Sequence, residues 1–211
     1  MKANTKMLSE FNTYVFIDVS NIRSCCLMTL GWKPNFKKLS SYLARKYPSL
    51  REMRYYEGIA SGDYKKDTEF KRLKQAGYMV CPLERKSYTD EVEFSGRITC
   101  KHCKARQSVH IVKPITKFKS NVDVYLATEF LKVAYLASEP THLVLMSCDG
   151  DYAEMIKSAL DQNENVYISV IATPVIRSGR NTCSTRLQAL RKYSQRFHLI
   201  DIRDIEKYVR T

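Results

Sequence analysis

The stretch THLVLMSCDGDYAEMI, residues 141–156, decides how the chain is read. Its apolar run, Leu143 to Met146, stops abruptly at Ser147-Cys148-Asp149-Gly150-Asp151, and a helical pattern starts at Tyr152. A short apolar run bounded by turn residues is the pattern of a strand buried on both faces. A strand followed at once by a helix is half of a βαβ unit, the building block of parallel sheets. In open sheets of that kind, ligands bind outside the carboxyl ends of the strands. Two acids flanking a glycine at such an end therefore invite a chemical explanation as well as a packing one.

Outward from that stretch the same rhythm repeats. YVFID (14–18), MRYYEG (53–58), YMVCPL (78–83), VYISVIA (166–172) and FHLIDI (197–202) read as further strands. Between them, helices are expected over PNFKKLSSYLARKY, over 63–77 with Gly77 as a C-cap, over 121–138, from Tyr152 to about Leu160, and over 184–194. Residues 84–119 break the rhythm, being polar, basic and rich in β-branched residues without a helical period. They read as an inserted β-hairpin or ribbon. The expected architecture is a single three-layer α/β/α domain over residues 1–211, with a mainly parallel sheet and a β-rich insertion.

Lys and Arg number 35 against 22 Asp and Glu, a formal charge of +13. An excess of that size favours a polyanionic partner, because each phosphate neutralised releases condensed counterions. No run of 18 apolar residues suggests a membrane helix, and the opening MKANTKMLSEFNTYVFID has no signal-peptide core. Seven cysteines in unlike contexts make no disulfide framework, which fits a reducing cytoplasm.

Asp18 ends the first strand and Asp149 the strand of the opening stretch, so both belong to one carboxyl-end rim. Asp151 lies two residues on, where it either joins the rim or caps the following helix, and Asp123 stands at a helix start. Caps and turns account for most aspartates in such places, but an acid after YVFI has no evident cap to make. Clustered carboxylates raise one another's pKa unless a cation sits between them. Oxygen-only ligation suits Mg²⁺ or Mn²⁺, hard ions that often bind substrate phosphates. An acidic pit on a basic chain fits phosphodiester chemistry: the bases hold the backbone and the ion polarises the scissile phosphate.

Three segments together resemble the NYN domain of the PIN-like nuclease superfamily. They are YVFIDVSNI (14–22), FKSNVDVYLATEFLKVAY (118–135) and LVLMSCDGDYAEMIK (143–157), and the likeness spans nearly the whole chain outside 84–117. The resemblance implies a metal-dependent nuclease acting on RNA, with Asp18, Asp123, Asp149 and Asp151 around Mg²⁺ or Mn²⁺. It further implies that Asn21 orients an acid or contacts phosphate. The chain departs from the family's pattern at Val19 and Cys148, where glycine is common, and at Glu129, where aspartate is. Glu129 lies about 120° round the helix from Asp123, on the flank of the pit.

The insert holds Cys100-x-x-Cys103, half of a zinc ribbon without a second pair in the chain. Cys81, His110 or a partner chain are the candidate completing ligands, with free or redox-active thiols as the plainer reading. The candidate nucleic-acid contacts are Arg85, Lys86, Arg97, Lys101, Lys104 and Arg106, with Lys117, Lys119, Arg177 and Arg180, while Trp32, Tyr64 and Tyr88 offer rings for stacking. The functional expectation is an endonucleolytic, divalent-metal-dependent ribonuclease, with a possible homodimer. Its alternatives are a nucleic-acid-binding regulator with little catalysis and a metal-dependent phosphatase, against which the positive charge argues.

Overall fold

The computed structural model describes residues 11–60, 62–174 and 182–211, with the side chains of Tyr64 and Lys65 also left outside the description. Arg177 and Arg180 lie outside the described residues. Six strands form the central sheet: β1 (Asn12–Asp18), β2 (Leu50–Ile59), β3 (Tyr78–Glu84), β6 (Thr141–Met146), β7 (Val166–Ala172) and β8 (Phe197–Asp201). Their spatial order is β3-β2-β1-β6-β7-β8, and every pairing between them is parallel. Two further strands, β4 (Lys86–Thr99) and β5 (Arg106–Lys119), pair with each other as an antiparallel ribbon. The α/β fold with a hairpin insertion is thus the one its sequence predicts.

Helices cover both faces of the sheet. They are α1 (Val19–Leu30), α2 (Phe36–Lys46), α3 (Tyr64–Gln75), α4 (Val122–Leu136), α5 (Tyr152–Gln162), and the short α6 (Thr185–Ala189) and α7 (Glu206–Val209). The side-chain alternation of a strand divides the core between the two faces. Phe16 turns to Phe130 of α4, with ring centroids 5.1 Å apart. Tyr55 turns the other way, edge-on to Phe36 of α2 at 5.1 Å and to Phe70 of α3 at 6.4 Å. β6 is buried along all of its length, as a central parallel strand must be. Pro82 lies in β3, an edge strand of the sheet, where one missing N–H leaves no ladder bond unmade.

Two expectations need correction. α1 has no counterpart in the sequence reading, because Val19, Cys25, Cys26 and Thr29 lack helix-forming preference and the segment carries no strong apolar stripe. Asp18 makes it possible: its carboxylate accepts from the Asn21 backbone N–H at 3.2 Å, so this acid is an N-cap after all. Gly31 ends the helix in the left-handed conformation, φ 73°, and donates its N–H to Leu27. Trp32, a candidate for base stacking, is instead buried in the core.

Replacing Phe130 by alanine should cost about 3–5 kcal/mol, since it empties the contact between α4 and the middle of the sheet. Denaturant unfolding of the two proteins measures this directly. A loss below about 1 kcal/mol would mean that α4 does not pack on β1 as described.

Candidate active site

The order of the sheet reverses between β1 and β6: chain progression runs one way from β1 to β3 and the other way from β6 to β8. Two outgoing connections there leave on diverging paths, and the gap between them is where parallel sheets bind ligands. Asp18 closes β1 and Ser147-Cys148-Asp149 follows β6, so the acids from these two strands flank the gap. The ladder pairs Ile17 with Met146, which fixes the two ends level with each other.

Asp18 is 7% exposed. Besides the Asn21 N–H, it receives the phenol of Tyr152 at 3.2 Å from the first turn of α5. Burial raises its pKa from the ordinary 3.8 to about 6, opposed by these two hydrogen bonds and reinforced by the charges of Asp149 and Asp123. Burial and the same three acids hold the Tyr152 phenol far above its usual range, so it remains a donor. Asp18, Asp123 and Asp149 therefore share one electrostatic neighbourhood around this phenol. Among the described residues, no Lys or Arg forms an ion pair with any of the three. Among the same residues, no three His, Cys, Asp or Glu side chains already stand close enough to hold a metal ion. The donor chemistry, a buried carboxyl facing two further acids without a counter-charge, fits a divalent cation that would draw them together.

The turn that carries Asp149 is built by its neighbours. Asn21 Oδ1 accepts from the Cys148 backbone N–H at 2.8 Å, tying the start of α1 to the end of β6. Asp149 donates its backbone N–H to the buried Ser147 hydroxyl at 3.2 Å and accepts from the Asp151 N–H at 2.9 Å. Cys148 is buried, and its thiol meets the Thr173 hydroxyl at 3.3 Å, so a residue larger than glycine here packs beneath the turn instead of obstructing it. Gly150 is required by close approach: a Cβ there would land on the Ser184 hydroxyl and lie 2.9 Å from Ser184 Cβ. The glycine between the two acids of the opening stretch thus serves packing, while Asp149 serves the rim.

The other candidate acids are less buried than Asp18. Asp123 is exposed in the first turn of α4, where Asn121 holds the N-cap position. Asp151 occupies the N-cap position of α5 without a side-chain cap bond and points outward to Arg186 at 3.1 Å. Glu129 pairs with Arg54 at 2.9 Å and Lys132 at 2.7 Å. Tyr152 escaped the sequence reading, although an aromatic opening the helix after the acids was its visible signal. So did buried Glu57, which Arg23 and Lys66 each meet at 2.9 Å. That pairing joins residues 34 positions apart and leaves no local trace.

A sequence profile of the NYN domain matches residues 12–201. The chain belongs to the NYN family. NYN domains are PIN-like nuclease domains. No curated protein matches the chain. Among solved structures, this NYN domain is similar to a protein of unknown function from Vibrio parahaemolyticus RIMD 2210633. The TM-score is 0.59 at 18% identity, over 95% of this chain and 97% of the other, a likeness of fold.

Around the NYN core, Arg85, Lys86, Lys117 and Lys119 lie exposed at the ribbon's base. Lys117 is ion-paired with Asp90. Arg85 packs against the end of β2, where a Cβ on Gly58 would come within 3.0 Å of its Nε and collide with Ser120. Arg97, Lys101, Lys104 and Arg106 are exposed near the far end, and Tyr88 is exposed on β4. Fourteen residues per strand put the tip roughly 45 Å from the base. The base adjoins Asp123, four residues beyond Lys119.

The linkage of Asp18 has a definite sign. Its folded pKa of about 6 exceeds the ordinary 3.8, so the folded state holds the proton more tightly than the unfolded chain does. Stability from this group is full below pH 3.8, falls as pH rises to about 6, and stays lost above it, by up to about 3 kcal/mol. Asp18→Asn keeps the cap acceptor and removes the charge. In EDTA at pH 7 its melting temperature should exceed that of the parent, and the gain should shrink towards pH 4. A lower melting temperature at pH 7 would show that the buried carboxylate is not under strain.

Proposed function

We infer that this NYN domain is a divalent-metal-dependent ribonuclease that cleaves phosphodiester bonds internally. Asp18, Asp123 and Asp149 hold Mg²⁺ or Mn²⁺. The observation that carries the reading is buried Asp18 at the sheet's reversal point, with two acids bearing on it and no cationic partner among the described residues. An ion bound there supplies Lewis-acid polarisation of a phosphoryl oxygen. The chain's own residues set the stage for it. Tyr152 and the Asn21 N–H fix both oxygens of Asp18, while the Asn21 side chain holds the turn that presents Asp149. Asp151, paired with Arg186, braces that turn through its backbone N–H and stands at the edge of the metal set.

RNA is the substrate that the charge of +13 supports. Arg85, Lys86, Lys117 and Lys119 at the ribbon's base would grip the phosphates next to the scissile one, and Arg177 and Arg180 are further candidates from the sequence. Seven free thiols suit a reducing cytoplasm as the setting. A second reading, RNA binding without catalysis, is favoured by one fact: among the described residues no three ligating side chains are already assembled.

Labelled RNA incubated with Mg²⁺ or Mn²⁺ against EDTA separates the two readings. Cleavage should require the metal, and Asp149→Asn should lower it about 100-fold or more with the circular dichroism spectrum unchanged. Equal cleavage by a folded Asp149→Asn protein would end the proposal. Single-stranded RNA binding should weaken with salt by about 0.7 logarithmic units per phosphate contacted, and charge reversal at Arg85 and Lys86 should flatten that slope. A slope near zero would show that the positive charge serves another partner.

A further inference from the structure

The ribbon β4–β5 ends in a turn with the features of a metal knuckle. The Cys100 backbone N–H donates to Ala105 at 2.9 Å, Lys104 returns its N–H to Cys100 at 3.0 Å, and Lys104 takes the left-handed conformation, φ 58°. Cys100 and Cys103 are both exposed free thiols. Structural zinc takes four such ligands, and this turn offers two.

The other two do not come from the described residues of the same chain. His110 pairs with Ser95 in the ladder and hydrogen-bonds its hydroxyl at 2.9 Å, four positions and about 13 Å along the strand from Arg106. Cys81 lies in β3 of the main sheet. Among the described residues no third His, Cys, Asp or Glu joins the two thiols.

The ribbon itself is also half of something. Among the described residues its strands pair with nothing but each other, and a lone two-stranded ribbon is marginal in water. Directly paired residues share a face, so Val92, Phe94 with Ile111, Val109 and Ile98 make the outer half of one side largely apolar, with Lys113 and Gln107 among them, while lysines and Asp90 occupy its inner half beside Ile115. Phe94, Ile98 and Ile111 are each more than half exposed. The opposite side is mostly Ser, Thr, Glu, Arg and His, with Phe118 and Val112 exposed among them. An outer half that is largely apolar on one side and ends in half a zinc site is complemented by an identical arm, which supplies both missing halves under one two-fold axis.

We propose that residues 86–119 are a dimerisation arm: two copies of the chain pack the largely apolar outer halves of their ribbons and share one zinc ion held by Cys100 and Cys103 of each. Binding releases the thiol protons of the four ligands to solvent. The arm's tip is thereby committed to a second chain, and its base is left to the nucleic acid. The proposal is independent of the nuclease reading, because neither cysteine lies near Asp18.

The test uses the full-length protein under reducing conditions, with mass measured by light scattering and zinc by elemental analysis. A dimer carrying one zinc per two chains is expected. A Cys100→Ser, Cys103→Ser double variant should lose that zinc and become monomeric, and Ile111→Asp should raise the dimer dissociation constant about tenfold or more. Cobalt in place of zinc should give the absorption of a tetrahedral site with four thiolates. Absence of bound zinc, one zinc per monomer, a two-thiolate cobalt spectrum, or a dimer that survives the double cysteine variant would each overturn the proposal.

Discussion

The parallel ladder between β1 and β6 is the constraint on which the rest depends. It joins two strands that are far apart in sequence, and from it the chain winds outward in both directions. Because both strands run the same way, their last residues finish at one edge, and the register sets Asp18 and the Ser147-Cys148-Asp149 turn side by side. A slip of one residue would turn Asp18 from the α4 face to the opposite one. Asn21 reinforces the level by bridging the start of α1 to the Cys148 N–H.

That geometry has an electrostatic cost. Asp18 is needed as an N-cap and is buried by its neighbours, yet two acids face it. Proteins tolerate a carboxyl in such a place when something else requires it. The Glu57 cluster shows the ordinary alternative within the same molecule: a buried acid at the end of β2 is met by Arg23, Lys66 and the Tyr55 hydroxyl. One buried acid is met by two cations, and the other, among the described residues, only by hydrogen-bond donors. The contrast separates a structural carboxylate from one held in reserve.

How much of this was legible in the sequence follows from the range of each interaction. Buried parallel strands are announced by their own apolar runs, so VYISVIA and THLVLM could be placed to within a few residues. The ribbon was visible as a break in the helical rhythm. Asp18 and Asp149 were legible as rim acids because strand ends share an edge. The α1 helix was not, because its start depends on the acid read as having no cap to make, and its own residues carry little helical preference. The buried position of Trp32, the Tyr152 phenol on Asp18 and the Arg23–Glu57 pair are contacts across the fold, and no local pattern encodes them.

The junction between the ribbon and α4 gives the three acids unequal freedom. Asp18 ends a strand laddered into the sheet, and Asp149 stands on the turn just beyond β6 that Asn21 ties to the start of α1. Asp123 follows the last ribbon residue, Lys119, by four positions, and Ser120 between them is wedged against Gly58. A force on the ribbon therefore reaches Asp123 through a short, braced piece of chain and leaves the other two where they are. In mechanical terms the rim is a vice with two fixed jaws and a third on a lever, and the lever's long arm is the ribbon.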